Sequence, residues 1–166
     1  MARMETRRGM PARRGFNLIE MIATMIIIGL MIGIAAPRIK DGMEKINVRE
    51  AKVSMANYIA RTRGTAVARG CPATLNITTG VAGRVWITSC KSTDMGKTVT
   101  VDTVGTVDLI AAKYGVNLSS TVNTITFNSR GIASNFAFQT IKVTGINYTG
   151  VKDSIRVNPI GKVLLK

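Results

Sequence analysis

The spacing of apolar positions divides this chain into three parts. From Phe16 to Ala36 the sequence FNLIEMIATMIIIGLMIGIAA is apolar almost throughout, and Glu20 is its only charge. Such a run predicts a helix that is apolar on every side. At about 1.5 Å per residue it would be about 31 Å long, close to the thickness of a bilayer's hydrocarbon core. After Pro37 the pattern becomes amphipathic. Ile39, Met43, Ile46, Val53, Ala56, Ile59 and Ala60 recur at helical steps, while Lys40, Glu44, Lys45, Arg49 and Lys52 take the other side. The spacing predicts a helix continuing to about Arg69, its apolar stripe facing a core, with Gly64 a weak point and Gly70 the stop.

From Cys71 onward Thr, Val, Ile, Gly and Asn dominate, which predicts strands joined by tight turns. The expected strands are Ala73–Thr78, Arg84–Ser89, Thr98–Val104, Thr121–Asn128, Ala137–Val143, Ser154–Val157 and Lys162–Leu165. Residues Val107–Leu118 suit a strand or a short helix equally. Asn158-Pro159-Ile160-Gly161 has the residue placement of a type I turn and would join the last two strands as a hairpin.

Glu20 is the anomaly in this pattern. An ionised side chain costs about 2.5–3.5 kcal/mol at the middle of a membrane and less near an end, so something must offset it. A secretory signal peptide explains a basic start and an apolar middle. However, this apolar run exceeds the usual length, and Pro37 directly follows Ala35-Ala36, an awkward site for cleavage. A plain membrane anchor explains everything except Glu20. Lys and Arg are equally numerous on the two flanks, so charge asymmetry does not set the orientation.

The 166 residues carry 23 Lys and Arg against 9 Asp and Glu, a net charge of +14. This surplus favours anionic partners without selecting one. The chain has no histidine. Its absence removes the commonest general base near neutral pH and the commonest metal ligand. The acids are scattered, and none stands beside a plausible nucleophile. No catalytic residue, metal site or cofactor is expected, and an enzyme is disfavoured.

Gly15-Phe16-Asn17-Leu18-Ile19-Glu20, followed by an unbroken apolar helix and Pro37, resembles the N-terminus of a type IV prepilin. The resemblance implies a leader over residues 1–15 and a transmembrane and assembly helix over 16–37. It also implies an amphipathic half over 38–70 and a β-rich globular domain over 71–166. By position, a prepilin peptidase would cut between Gly15 and Phe16, and the new amine at Phe16 would be N-methylated. Glu20 and Pro37 would be assembly residues, with Glu20 pairing with that amine on a neighbouring pilin. Asn17 stands where the family usually has Thr or Ser. Gly29-Leu30-Met31-Ile32-Gly33 is a GxxxG stretch that suits close helix approach or simply flexibility.

A narrower resemblance, to the GspH/FimT group of minor pseudopilins and minor pilins, rests on several stretches. These are Ala60–Ala66 with Val67–Gly70, Val85-Trp86, Ile125-Thr126-Phe127 with Gly131, and Ser154–Val157 through Gly161-Lys162. It implies an α+β fold, a long N-terminal helix packed on a β-sandwich-like domain. It also implies a single-pass protein of the bacterial inner membrane, its domain in the periplasm, that joins a type IV pilus or a type II secretion pseudopilus.

In that oxidising compartment Cys71 and Cys90 are expected to form a disulfide worth about 3 kcal/mol; two unrelated buried thiols are the alternative. Some FimT-type pilins bind DNA through a C-terminal Gly-Arg-x-Arg. The aligned Gly161-Lys162-Val163-Leu164 keeps only part of it, which leaves Arg156, Lys162 and Lys166 as candidate DNA contacts under a second, DNA-uptake reading. Asn76, Asn117 and Asn147 begin Asn-x-Ser/Thr triplets that read as coincidence in so Asn- and Thr-rich a chain.

Overall fold

A computed structural model describes residues 17–91, 100–134, 137–147 and 150–165. Two units are distinguished within the chain, one ending at Ile39 and one spanning Lys40–Lys166. Helix α1 runs over Leu18–Arg69 with Pro37 inside it. At its N-terminus the Asn17 carbonyl accepts the backbone N–H groups of Glu20 and Met21 at 3.0 and 3.2 Å. At its C-terminus Gly70 turns left-handed, with φ of 64°, a conformation that costs glycine nothing and other residues a good deal.

The second unit contains two four-stranded antiparallel sheets. Strands β1 (Ala73–Ile77), β2 (Val85–Cys90), β3 (Val101–Asp108) and β5 (Thr124–Phe127) form the first, in the order β3-β2-β1-β5. Strands β4 (Val116–Ser120), β6 (Gln139–Gly145), β7 (Lys152–Val157) and β8 (Val163–Leu165) form the second, in the order β4-β6-β7-β8. Alternate residues of β1, β2 and β6 are buried, the period-2 pattern of a sheet with one covered face. Leu75, Ile87, Ile125, Ile141, Val143, Ile155 and Phe127 from the two sheets join Val48, Ala51, Met55 and Ile59 of α1 in one core. Burying each large member of that set contributes about 1.5–3 kcal/mol.

The stretch 107–118 resolves into both of its candidates. Helix α2 (Ile110–Tyr114) ends at Gly115 in the left-handed region, and β4 follows at once. The Asn158–Gly161 turn is closed by the Gly161 N–H on the Asn158 carbonyl at 2.9 Å and joins β7 to β8. Strand β3 lies further along the chain than expected, reaching Asp108, because its pairing with β2 shifts register between Val85 and Ile87. Thr98 and Val99 of the expected strand fall outside the described residues.

The stripe assigned to the core of α1 requires correction. Ile39, Met43 and Ile46 are 59%, 59% and 57% exposed, and Val53 and Ala60 are exposed as well. Of the residues in that stripe, Ile59 alone is fully buried. The buried face is instead Val48, Ala51, Met55, Ile59, Thr62 and Ala66, with Glu44 at its start. At about 100° per residue this face lies roughly opposite Met43, Ile46 and Val53. Three of its members are Ala or Thr, small side chains that allow a helix backbone to approach a sheet closely.

Candidate assembly surfaces

Among the described residues nothing covers the first half of α1. None of its most apolar 18-residue stretch is buried, and by length and composition it is able to cross a membrane. Glu20 occupies the first turn. There the partial positive charge of the helix end favours a carboxylate. A Cβ added at Gly29 or Gly33 would meet nothing within 4 Å, so the GxxxG notch lies open. Gly15 and Phe16 lie outside the described residues.

The second half has two apolar faces, and only one meets the sheets. On the other, Ile46 and Val53 line an open groove of about 510 Å³ together with Arg49, Glu50, Asn57 and, from α2, Tyr114. A surface helix normally carries a single apolar stripe. The second one here is exposed apolar surface on the same helix.

Polar side chains lock the inner face in place, and the sequence pattern put them on the wrong side. Glu44 is only 8% exposed. Its carboxylate accepts the backbone N–H of Asn147 at 2.9 Å. It also fills the space beside Gly145, where any Cβ would overlap it. Lys52, likewise expected in solvent, pairs with Asp153 of β7 at 2.6 Å.

The last turns of α1 are clamped to the first sheet. Arg69 donates to the Cys90 carbonyl at 2.6 Å. Thr62, buried, donates its hydroxyl to the Tyr58 carbonyl. Arg61 packs beside Gly105, and Arg63 and Val67 pack beside Gly131, all in the stretch that carried the narrower family resemblance. Cys71 and Cys90 form a disulfide, with Cα atoms 6.3 Å apart. It ties the residue after the helix stop to the end of β2.

Arg156 and Lys162 are exposed on the outer face of the second sheet, with Leu164, the cross-strand partner of Arg156, on the same face. Lys142 and Lys152 share that face. Lys166 lies outside the described residues. Among the described residues no group of His, Cys, Asp or Glu is arranged to hold a metal ion.

Residues 54–161 match the family model described as "Type II transport protein GspH". The chain belongs to the GspH family. Its fold agrees with this membership. The type IV minor pilin FimU of Pseudomonas aeruginosa superposes with a TM-score of 0.58 at 11% identity, over 74% of this chain and 90% of that one. A second crystal form of FimU gives a TM-score of 0.50 at 11% identity, over 71% and 91%. No individual curated protein sequence matches the chain. The GspH-family stretch begins at Ser54 and ends at Gly161, so it takes in the end of α1 and strands β1 to β7. The chain has the long helix and antiparallel sheets that the resemblance read from its sequence implies.

Proposed function

We propose that this GspH-family chain is a structural subunit. It is cut between Gly15 and Phe16 by a prepilin peptidase, methylated at Phe16, anchored in the inner membrane by residues 16–37, and assembled with other pilins into a pilus or pseudopilus. The observation that carries this reading is the second apolar stripe, Met43, Ile46 and Val53, exposed on the face of α1 opposite the core. A monomer has no use for it. A filament in which helices lie side by side does, and the unburied first half adds apolar surface that has lipid as its solvent before assembly.

Glu20 fits this role through charge. Removal of the leader leaves an ammonium at Phe16, four residues before a carboxylate. Two such helices set side by side with an axial offset bring the ammonium of one to the carboxylate of the other. In a dry bundle that pair offsets the desolvation of both groups, whereas either alone remains costly. The domain organisation that follows is leader, spanning segment, amphipathic helix and periplasmic β domain. The role is one of assembly rather than catalysis.

Mass spectrometry of the mature N-terminus tests the processing step. The expected species begins at methylated Phe16, and protein that begins at Met1 would contradict it. Glu20→Gln tests the pairing step. The expected variant is cleaved normally yet falls to background when filaments are sheared and its incorporation is measured. Wild-type incorporation of Glu20→Gln would remove the electrostatic account.

A further inference from the structure

The outer faces of the two sheets differ in chemistry. The second sheet presents Lys142, Lys152, Arg156 and Lys162. On the first, among the described residues, Arg84 is the single charged side chain; hydroxyl, amide and indole groups make up most of the rest, with the exposed Val101 and Val107 of β3 beside them. Thr103, Thr88, Thr74 and Thr126 form one cross-strand row, and Trp86, Asn76 and Thr124 form the next. For a chain of net charge +14, a nearly neutral sheet face is an exception.

The threonine and asparagine side chains of these rows are held by hydrogen bonds. The hydroxyls of Thr74 and Thr126 are hydrogen-bonded at 3.0 Å, and Asn76 donates to the Thr88 hydroxyl at 3.0 Å. The backbone N–H of Arg84 donates to the Thr78 hydroxyl at 2.7 Å and so orients that side chain. Each hydroxyl retains further donor or acceptor capacity, and little rotamer freedom is left to lose on binding. Opposite Trp86 the register shift in β3, with Gly105 at φ of 85°, breaks the regular pairing. A cleft of about 320 Å³ lies there, lined by Thr78, Arg84, Trp86 and Val107. That is near the lower limit for small-molecule sites and suits a single ring.

We propose that this cleft binds a carboxylated sugar unit of a polysaccharide, the ring against Trp86 and its carboxylate on Arg84. The indole offers a flat apolar face for the C–H side of a pyranose. Thr78 and the adjoining threonine and asparagine rows offer fixed partners for ring hydroxyls of the next units. The planar guanidinium of Arg84, exposed beside the ring, matches a carboxylate with two parallel hydrogen bonds. A nucleic acid would instead require several cations along a backbone, and those lie on the other sheet.

Trp86 is the chain's one tryptophan, so its emission reports directly on the cleft. The experiment titrates full-length protein in phosphocholine micelles, which carry no sugar headgroup, with hexagalacturonate, cellohexaose and hexathymidylate. A saturable change with hexagalacturonate is expected, with cellohexaose at least about tenfold weaker and hexathymidylate without effect on Trp86. Arg84→Ala, a surface change that leaves β2 paired, is expected to weaken hexagalacturonate about tenfold, the loss of one charge-assisted contact. Three results would overturn the proposal. They are no saturable response to hexagalacturonate, an equal response to either of the other probes, and an Arg84→Ala variant that binds hexagalacturonate as wild type does.

Discussion

The two halves of α1 use apolar surface in different ways. In the Leu18–Ile39 half, Leu, Ile and Met point outward on every side and no protein covers them. In the Lys40–Arg69 half, one face is sealed against the sheets by Val48, Ala51, Met55 and Ile59, while Met43, Ile46 and Val53 on the opposite face stay exposed. Hydropathy states how much surface seeks cover, and the neighbouring element decides what covers it. The first half is long and apolar enough to cross a membrane. The second half serves its own domain on one side and is open to a partner on the other. The assembly surface proposed for this protein thus draws on both halves, each with a different solvent before a partner arrives.

Deleting side chains from the two faces of the second half is expected to have opposite consequences. Met55 is fully buried. Met55→Ala is expected to destabilise the domain by about 2–5 kcal/mol, through lost burial and the cavity left behind. Ile46→Ala removes a similar amount of apolar surface from the outer face and is expected to change stability by no more than about 0.5 kcal/mol, while reducing incorporation into filaments. Denaturant unfolding of the two full-length variants in the same micelles provides the check. Equal destabilisation by both would mean that the outer face is not free.

The two ends of the helix are held differently. At Asn17 the described contacts are backbone hydrogen bonds of the first turn. At Arg69 the chain is held by a side-chain hydrogen bond to Cys90 and, two residues on, by the Cys71–Cys90 bridge. Replacing both cysteines with serine is expected to cost about 3 kcal/mol, the chain-entropy value for a loop of this length. Wild-type protein should show the same loss when unfolded under reducing conditions, and the double variant should not respond to reductant. A double variant as stable as the oxidised wild type would show that the Arg69 hydrogen bond holds the helix end without the bridge.

Much of the fold was legible because its signals are local. An apolar run, an amphipathic run and Gly70 delimit α1, and alternating Val, Ile and Thr place β1 and β2 to within a residue or so. Asn-Pro-Ile-Gly marks the last turn. The inner face of α1 was not legible, because large side chains weigh most in a hydrophobic pattern. Packing on a sheet here selected Ala51, Thr62 and Ala66 and left Ile39, Met43 and Ile46 outside. Glu44 and Lys52 were unreadable for another reason. Their partners, Asn147 and Asp153, lie about a hundred residues away, and no local spacing joins them. The same holds for the sugar cleft, since only strand register brings Trp86 alongside Asn76 and Thr124.

A smaller loss than that of the core or the bridge is expected on the shoulder of the buried face. The Tyr58 hydroxyl donates to Asp108 Oδ2 at 3.1 Å. Burial first, then the hydrogen bond and the negative charge of Asp108, push this phenol above its ordinary value, and Arg61 opposes them more weakly. In the unfolded chain Tyr58 ionises near pH 10. Between that pH and the higher folded value the native state holds a proton that the unfolded state has lost, so stability falls as pH rises. The contribution is complete below pH 10 and disappears as pH climbs through the folded value. Tyr58→Phe is expected to cost about 1 kcal/mol at neutral pH, from the lost hydrogen bond. It should also flatten the alkaline decline and remove a high-pH component from the phenolate absorbance. If the variant declines with pH as steeply as wild type, Tyr58 is not held in the buried margin of α1, and the border between the helix's two faces lies elsewhere.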